Sequence, residues 1–189
     1  MRLIKLKAIW LPFLFFCTAL TAQQKTKNNL PIGVFDSGTG GLTVLEAMLT
    51  LDAFNNITGK PGADGMLDFD KEYFQYLADQ ANMPYGNYAA ENKTKLLQEH
   101  VVKNMDFLLK NRYDINWMQQ TSPKEKQSVK MLVLACNTAT AFALEEVKQF
   151  VQDNGTKAPV VGVINAGVKA ALAYQSSHEK GAIGVFATA

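Results

Sequence analysis

One stretch of the sequence brings a thiol together with polar groups that could hold an anion. Cys136 follows the apolar run MLVLA and precedes Asn137 and Thr138, which open a helical pattern. A thiol at a helix N-terminus has its thiolate stabilised by the helix dipole and by free N–H groups, so it can act as a nucleophile or as a base. The neighbouring amide and hydroxyl suit a carboxylate. The alternative is a buried cysteine that packs as a small apolar residue.

A second stretch, VFDSGTGG (residues 34–41), places Asp36 and Ser37 before a turn rich in glycine. It is a poor phosphate cradle, because Thr43 stands where a dinucleotide loop needs its third glycine and no Gly-Lys-Ser/Thr follows. A small anion could still use the N-terminus of the following helix. An aspartic protease would need a second Asp-Ser/Thr-Gly, which the sequence lacks. The structural alternative is a capping Asp36 or Ser37 with glycines for close packing.

The two histidines give little support to a hydrolase of the cysteine type. Such a nucleophile usually has a histidine partner. His100 falls on a predicted helix and His178 in a polar loop, and we expect both on the surface. The sequence also has no metal-ligand spacing of cysteine, histidine or carboxylate side chains, so no metal site is predicted.

Apolar runs alternate with helical patterns along the chain, which predicts βα units and an α/β fold with a mostly parallel sheet. The predicted strands are residues 31–35, 73–78, 131–135, 159–164 and 182–186; the predicted helices are 42–49, 89–109, 138–151 and 167–174; residues 52–70 and 111–128 are predicted loops. Ligands of such sheets bind beyond the carboxyl ends of the strands. The residues expected at that edge are Asp36, Ser37, residues 79–86, residues 136–138, Asn165 and Thr188.

The first 22 residues have the pattern of a secretory signal peptide. Arg2, Lys5 and Lys7 precede the apolar residues 8–20, and small residues lead to Ala22. We expect cleavage near Ala22 and an exported, periplasmic protein. The alternative is a retained anchor, although the apolar run is shorter than the ~20 residues that a spanning helix needs.

Removal of residues 1–22 changes the formal net charge from +2 to −1. Without a basic stripe, nothing indicates binding to nucleic acid. The remaining residues suffice for a domain with a real core. Their single cysteine, Cys136, allows no internal disulfide.

Four segments together give the sequence a specific resemblance. They are GVFDSGTGGL (residues 33–42), ADQANMPYG (residues 78–86), ACNTAT (residues 135–140) and VGVI (residues 161–164). In this order they resemble glutamate racemase, of the aspartate/glutamate racemase superfamily, from about Leu30 to the end.

The resemblance implies parallel-sheet lobes, here a first lobe over residues 30–157 and the start of a second over residues 158–189. It implies a cofactor-independent racemase that interconverts L- and D-glutamate through two thiols on opposite faces of Cα. Cys136 is one thiol, with Asp36 as its catalytic partner. The residues that match substrate-binding positions are Ser37, Tyr85, Gly86, Asn137, Thr138 and Thr188. A homodimer is compatible with the family.

Three departures keep other functions open. The second thiol of the family lies in a Cys-Thr-His segment that these 189 residues do not contain, and we expect the sequence to be incomplete at its C-terminus. Asn165 stands where the family usually has glutamate. The family is ordinarily cytoplasmic and serves peptidoglycan synthesis, whereas this chain has an export signal. The alternatives are an exported amino-acid-binding protein that lost catalysis and an aspartate racemase.

Overall fold

The computed structural model describes residues 29–113, 124–177 and 182–185, and its centre is a parallel β-sheet. In chain order the helices and strands are β1 (Ile32–Asp36), α1 (Gly41–Leu49), β2 (Phe74–Ala78), α2 (Gly86–Ala90), α3 (Thr94–Leu109), β3 (Arg112–Tyr113), β4 (Lys124–Glu125), β5 (Met131–Leu134), α4 (Asn137–Asp153), β6 (Val160–Gly162) and α5 (Val163–Ser177). The order in the four-stranded sheet is β2-β1-β5-β6, with every pairing parallel. The predicted α/β class is confirmed.

The alternation of side chains along β1 divides the core between the two faces of the sheet. Phe35 points to a buried cluster that α3 and α4 cover with residues such as Leu97 and Val147. Val34, the preceding residue, points to the opposite face, where Leu45 of α1 packs. Both faces are therefore covered, which explains why the strands are nearly continuous apolar runs.

The long helix predicted over residues 89–109 is in fact two helices. α2 ends at Ala90 and α3 begins at Thr94. Between them Asn92 adopts a φ of 57°, and the amide of Lys93 donates to the carbonyl of Tyr88 over 2.7 Å. Asparagine tolerates this left-handed conformation better than most residues, and the break allows α2 to leave the axis of α3.

The end of the described chain also differs from the prediction. The strand expected over residues 159–164 ends at Gly162, and α5 begins at once with Val163. Residues 182–185 form no strand. The lobe boundary at residues 157 and 158 stays a prediction, although β6 beyond it pairs with β5 in this sheet.

Two predicted loops have more order than their composition indicated. Within residues 52–70, the carboxylate of Asp68 accepts bonds from the amides of Ala53 and Phe54, and that of Asp52 accepts from the amides of 64 and 65. In the second loop, β3 and β4 pair antiparallel.

No helix within the described ranges is long and apolar enough to cross a membrane. The predicted signal peptide lies outside the described residues.

Candidate active site

The carboxyl ends of β1, β2 and β5 bring the two predicted motifs together. The amide of Asp79 donates to the carbonyl of Asp36 over 3.0 Å, and the amide of Ala135 donates to the carbonyl of Phe35 over 2.8 Å. These bonds continue the sheet to its edge, so the residues that follow each strand are neighbours. Ser37 and Cys136 are 99 positions apart in the sequence, yet Ser37 Oγ and Cys136 Sγ lie 3.5 Å apart.

Cys136 is the N-cap residue of α4. Its backbone is extended, with φ −82° and ψ 124°, and its Sγ accepts a hydrogen bond from the amide of Ala139 over 3.5 Å. The thiol is 6% exposed and is a free cysteine. A sulfur that caps a helix and contacts a hydroxyl has two donors for its thiolate form. The arrangement therefore suits a base that takes a proton and a thiol that returns one.

Asp36 organises the glycine turn. Its Oδ1 accepts from the amide of Ser37 over 2.9 Å, and its Oδ2 accepts from the amide of Gly41 over 2.7 Å. The side chain thus accepts a hydrogen bond from the first amide of α1, although the N-cap residue of the helix is Gly40 and neither Asp36 nor Ser37. A Cβ on Gly41 would lie 2.7 Å from Asp36 Cβ, so this position needs glycine. The catalytic role of Asp36 stays a prediction.

Tyr85 is almost fully buried, at 2% exposure, and its hydroxyl donates to Asp79 Oδ2 over 2.6 Å. Burial first, and then this hydrogen bond, raises the pKa of Tyr85 far above its ordinary value. The hydroxyl is therefore a neutral donor that is already engaged. Gly86 begins α2, and a Cβ built there would meet open space.

The first turn of α4 carries Asn137, which is exposed, and Thr138, which is half-buried. Both lie next to Cys136 at the end of the helix that attracts anions. Thr188, the remaining predicted binding residue, lies outside the described residues.

Tyr76 is a site residue that the sequence did not single out. Its hydroxyl donates to the carbonyl of Gly38 over 2.9 Å and so fastens the glycine turn to β2. Burial first, and then the charges of Asp36 and Cys136, raises the pKa of Tyr76. The available signal was its place two residues before the carboxyl end of β2, in register with Val34 of β1.

Three other predicted residues lie apart from this cluster or outside the description. Asn165 was expected to follow a strand, but it lies inside α5, where it lines a groove with Phe142 of α4. His100 on α3 packs its ring edge-on against Tyr88, with the centroids 5.7 Å apart. His178 lies outside the described residues. Across residues 29–113, 124–177 and 182–185, no three His, Cys, Asp or Glu side chains converge as metal ligands would.

The site residues belong to a region with clear relatives. The chain is 36% identical over 161 residues to the glutamate racemase of Enterococcus faecalis (strain ATCC 700802 / V583), covering 85% of this chain and 44% of that protein. It is related to the glutamate racemases. The glutamate racemase of Oceanobacillus iheyensis is 34% identical over 157 residues, and this match covers 83% of this chain and 42% of that racemase. The chain thus spans less than half the length of these curated relatives.

Two solved glutamate racemase structures are also similar to the chain. The isoform RacE1 from Bacillus anthracis is 28% identical with a TM-score of 0.49, over 77% of this chain and 39% of that one. The racemase from Thermus thermophilus, in complex with β-chloro-D-alanine, is 31% identical with a TM-score of 0.48, over 76% of this chain and 40% of that one. No family model matches the chain.

Proposed function

We propose that this chain forms part of a cofactor-independent racemase that interconverts L- and D-glutamate. The observation that carries the proposal is the environment of Cys136, whose sulfur caps α4 and meets the hydroxyl of Ser37 at the carboxyl edge of the sheet. The similarity to glutamate racemases supports the same reaction.

In the proposed reaction the thiolate of Cys136 removes the proton from Cα of glutamate. The C–H bond breaks, an S–H bond forms, and the electron pair stays on the substrate as a carbanion. A thiol on the opposite face then gives its proton to Cα and becomes a thiolate. The carbanion is costly, so fixed donors in a site that excludes water must stabilise it.

The remaining predicted residues have complementary roles in this proposal. Asn137 and Thr138 bind the α-carboxylate at the N-terminus of α4. Asp36 and Ser37 face the ammonium group and hold the thiol in place, while the 84–86 segment forms part of the pocket wall.

A binding protein without catalysis is the second candidate. The asparagine at position 165, where the family usually has glutamate, favours this alternative. An aspartate racemase is a variant of the first candidate with a shorter substrate.

Deuterium incorporation distinguishes these functions. The whole protein of which these 189 residues form part is incubated with L-glutamate, and separately with L-aspartate, in D₂O, and Cα deuterium is measured in each enantiomer by NMR after chiral separation. A racemase labels both enantiomers, whereas a binding protein labels neither. Cys136→Ser is expected to abolish labelling and largely spare binding, while Cys17→Ser leaves labelling unchanged. Full labelling by Cys136→Ser would refute the proton-transfer role.

We also propose that the protein is exported and acts on free or released amino acids in the periplasm. The charged, apolar and small-residue pattern of residues 1–22 supports this location. Cell fractionation with N-terminal sequencing is expected to find periplasmic protein that begins near Gln23. A chain that lacks residues 2–22 serves as the control and should stay in the cytoplasm. Uncut full-length protein in the cytoplasm would contradict export.

A further inference from the structure

Asp79 is a buried carboxylate for which the proposed reaction has no use. It follows β2 directly and is 9% exposed. The side-chain amide of Asn82 donates to its Oδ1 over 2.8 Å and to its Oδ2 over 3.0 Å. The hydroxyl of Tyr85 and the side-chain amide of Asn104 donate to Oδ2 over 2.6 and 2.9 Å. Because burial of a charge is costly, this many donors around one carboxylate indicates a specific task.

The three donors come from separate parts of the site. Asn82 lies in the 3₁₀ turn after β2, Tyr85 precedes α2, and Asn104 lies in the middle of α3. Asp79 therefore joins the 79–86 segment to a helix of 16 residues that is packed against the core.

The bond to Asp79 also fixes the ring of Tyr85. That ring packs 6.3 Å from the ring of Phe35 and 6.0 Å from that of Tyr88, in the same buried cluster as Cys136. With its hydroxyl held and its ring enclosed, Tyr85 has little freedom. The 84–86 segment is consequently held to the buried cluster that contains Cys136.

We propose that Asp79 is a positioning residue of the candidate active site, which holds Tyr85 and thereby fixes the pocket wall formed by the 84–86 segment. This role rests on the proposed function, since the wall is that of the glutamate pocket. Tyr85 acts here through its anchored ring and backbone, and its hydroxyl serves Asp79.

Asparagine at position 79 would keep the size of the side chain and lose the second acceptor oxygen. The three donors of Asn82, Tyr85 and Asn104 would then face one carbonyl oxygen and an NH₂ group. If the oxygen takes the place of Oδ2, the NH₂ group faces the side-chain amide of Asn82, which donates to Oδ1 in the wild type. If the oxygen takes the place of Oδ1, Tyr85 and Asn104 lose their acceptor. Either orientation disturbs the segment that Asp79 holds.

The test measures L-glutamate binding to the full chain by titration calorimetry, in the wild type, Asp79→Asn, Tyr85→Phe and the double variant. Each single variant is expected to weaken glutamate binding about tenfold, because a pocket wall that is no longer fixed must become ordered when the ligand binds. The double variant should be no weaker than the weaker single variant, because both changes break the same contact. Asp153→Asn, which removes an exposed carboxylate at the end of α4, is the control and should bind as the wild type does.

A merely structural role would lower thermal stability and leave the glutamate affinity of the folded protein unchanged. Unchanged affinity in Asp79→Asn, or fully additive losses in the double variant, would overturn the proposal. If Asp79→Asn does not fold, the glutamate affinity of Tyr85→Phe tests the proposal, because this variant keeps the ring and removes only the hydroxyl that binds Asp79. An unchanged affinity in Tyr85→Phe would then overturn it.

A second readout separates this proposal from the proposed function. The ¹³Cζ resonance of Tyr85, assigned from its absence in Tyr85→Phe, reports the hydrogen bond of the phenol without any ligand. It is expected to shift in Asp79→Asn and to stay in place in Asp153→Asn. Absence of glutamate binding by the wild type would refute the glutamate function. An unshifted Tyr85 resonance would refute the role of Asp79 whatever the ligand.

Discussion

Replacement of Gly41 by alanine tests whether the glycine turn is built around Asp36. Gly41 is the first residue of α1 and is buried, and its amide donates to Asp36 Oδ2. A Cβ at this position would lie 2.7 Å from Asp36 Cβ and 3.0 Å from Ala135 Cβ. Both neighbouring atoms are attached directly to the backbone of the sheet edge, so no side-chain rotation can relieve the contact. The start of α1 must move away from the strand ends.

The magnitude follows from two opposing effects. Overpacking of a close contact costs typically about 1–3 kcal/mol. Alanine is a better helix former than glycine by about 1 kcal/mol, which offsets part of that cost. We therefore expect Gly41→Ala to lower the free energy of unfolding by up to about 2 kcal/mol. For a chain of this size, that corresponds to a Tm lower by up to about 8 °C.

Urea denaturation of the full chain, followed by circular dichroism, measures this loss. Gly167→Ala is the matched control, since a Cβ there meets nothing within 4 Å and the residue lies inside α5. The control should be neutral or stabilised by up to about 1 kcal/mol. If Gly41→Ala gained as much stability as a stabilised Gly167→Ala, α1 would be free to shift and the packing argument would be refuted.

Three further changes have defined outcomes. In Asp36→Asn, one side-chain oxygen remains for the two backbone amides that the carboxylate binds. The free energy of unfolding, measured by urea denaturation, should fall by about 1–3 kcal/mol. An unchanged urea midpoint would contradict the role of Asp36 in the turn. Tyr76→Phe removes the bond to the carbonyl of Gly38 and should cost about 1 kcal/mol in the same assay; wild-type stability would mean that the hydroxyl does not hold the turn. Burial lowers the pKa of Lys126 from 10.5 to about 8, so the unfolded chain binds more protons between these values and stability should rise with pH there. The stability of Lys126→Met should not show this rise between pH 8 and 10.5. If the stabilities of variant and wild type depended on pH in the same way, the effect assigned to Lys126 would be refuted.

The sequence was sufficient to predict the α/β class and the meeting of two motifs at one sheet edge. A buried parallel strand needs a continuous apolar run, and β1 and β5 have one, whereas the half-buried β2 is interrupted by Gln75. Since parallel strands end at the same edge of a sheet, the sequence predicts that Asp36 and Cys136 lie at one edge. The position of Cys136 at the start of α4 followed in the same way from local pattern alone.

Other features were not indicated by the apolar pattern of the sequence. The break before α3 requires a left-handed Asn92, and the early start of α5 at Val163 follows an apolar strand without any turn signal. Apolar residues at such positions suit a strand and a helix equally, so periodicity does not distinguish them.

The roles of Tyr76 and Asp79 were decided only by the tertiary structure. Tyrosine is common in strands and aspartate is common in the turns that follow them, so neither residue type by itself indicates a role in the site. Folding brings the carbonyl of Gly38 within hydrogen-bonding distance of the Tyr76 hydroxyl. It also brings the side-chain amide of Asn104 within hydrogen-bonding distance of the Asp79 carboxylate. Sequence determines which groups are available, whereas the partners of a buried polar group depend on three-dimensional proximity, because burial removes the water that would otherwise satisfy it.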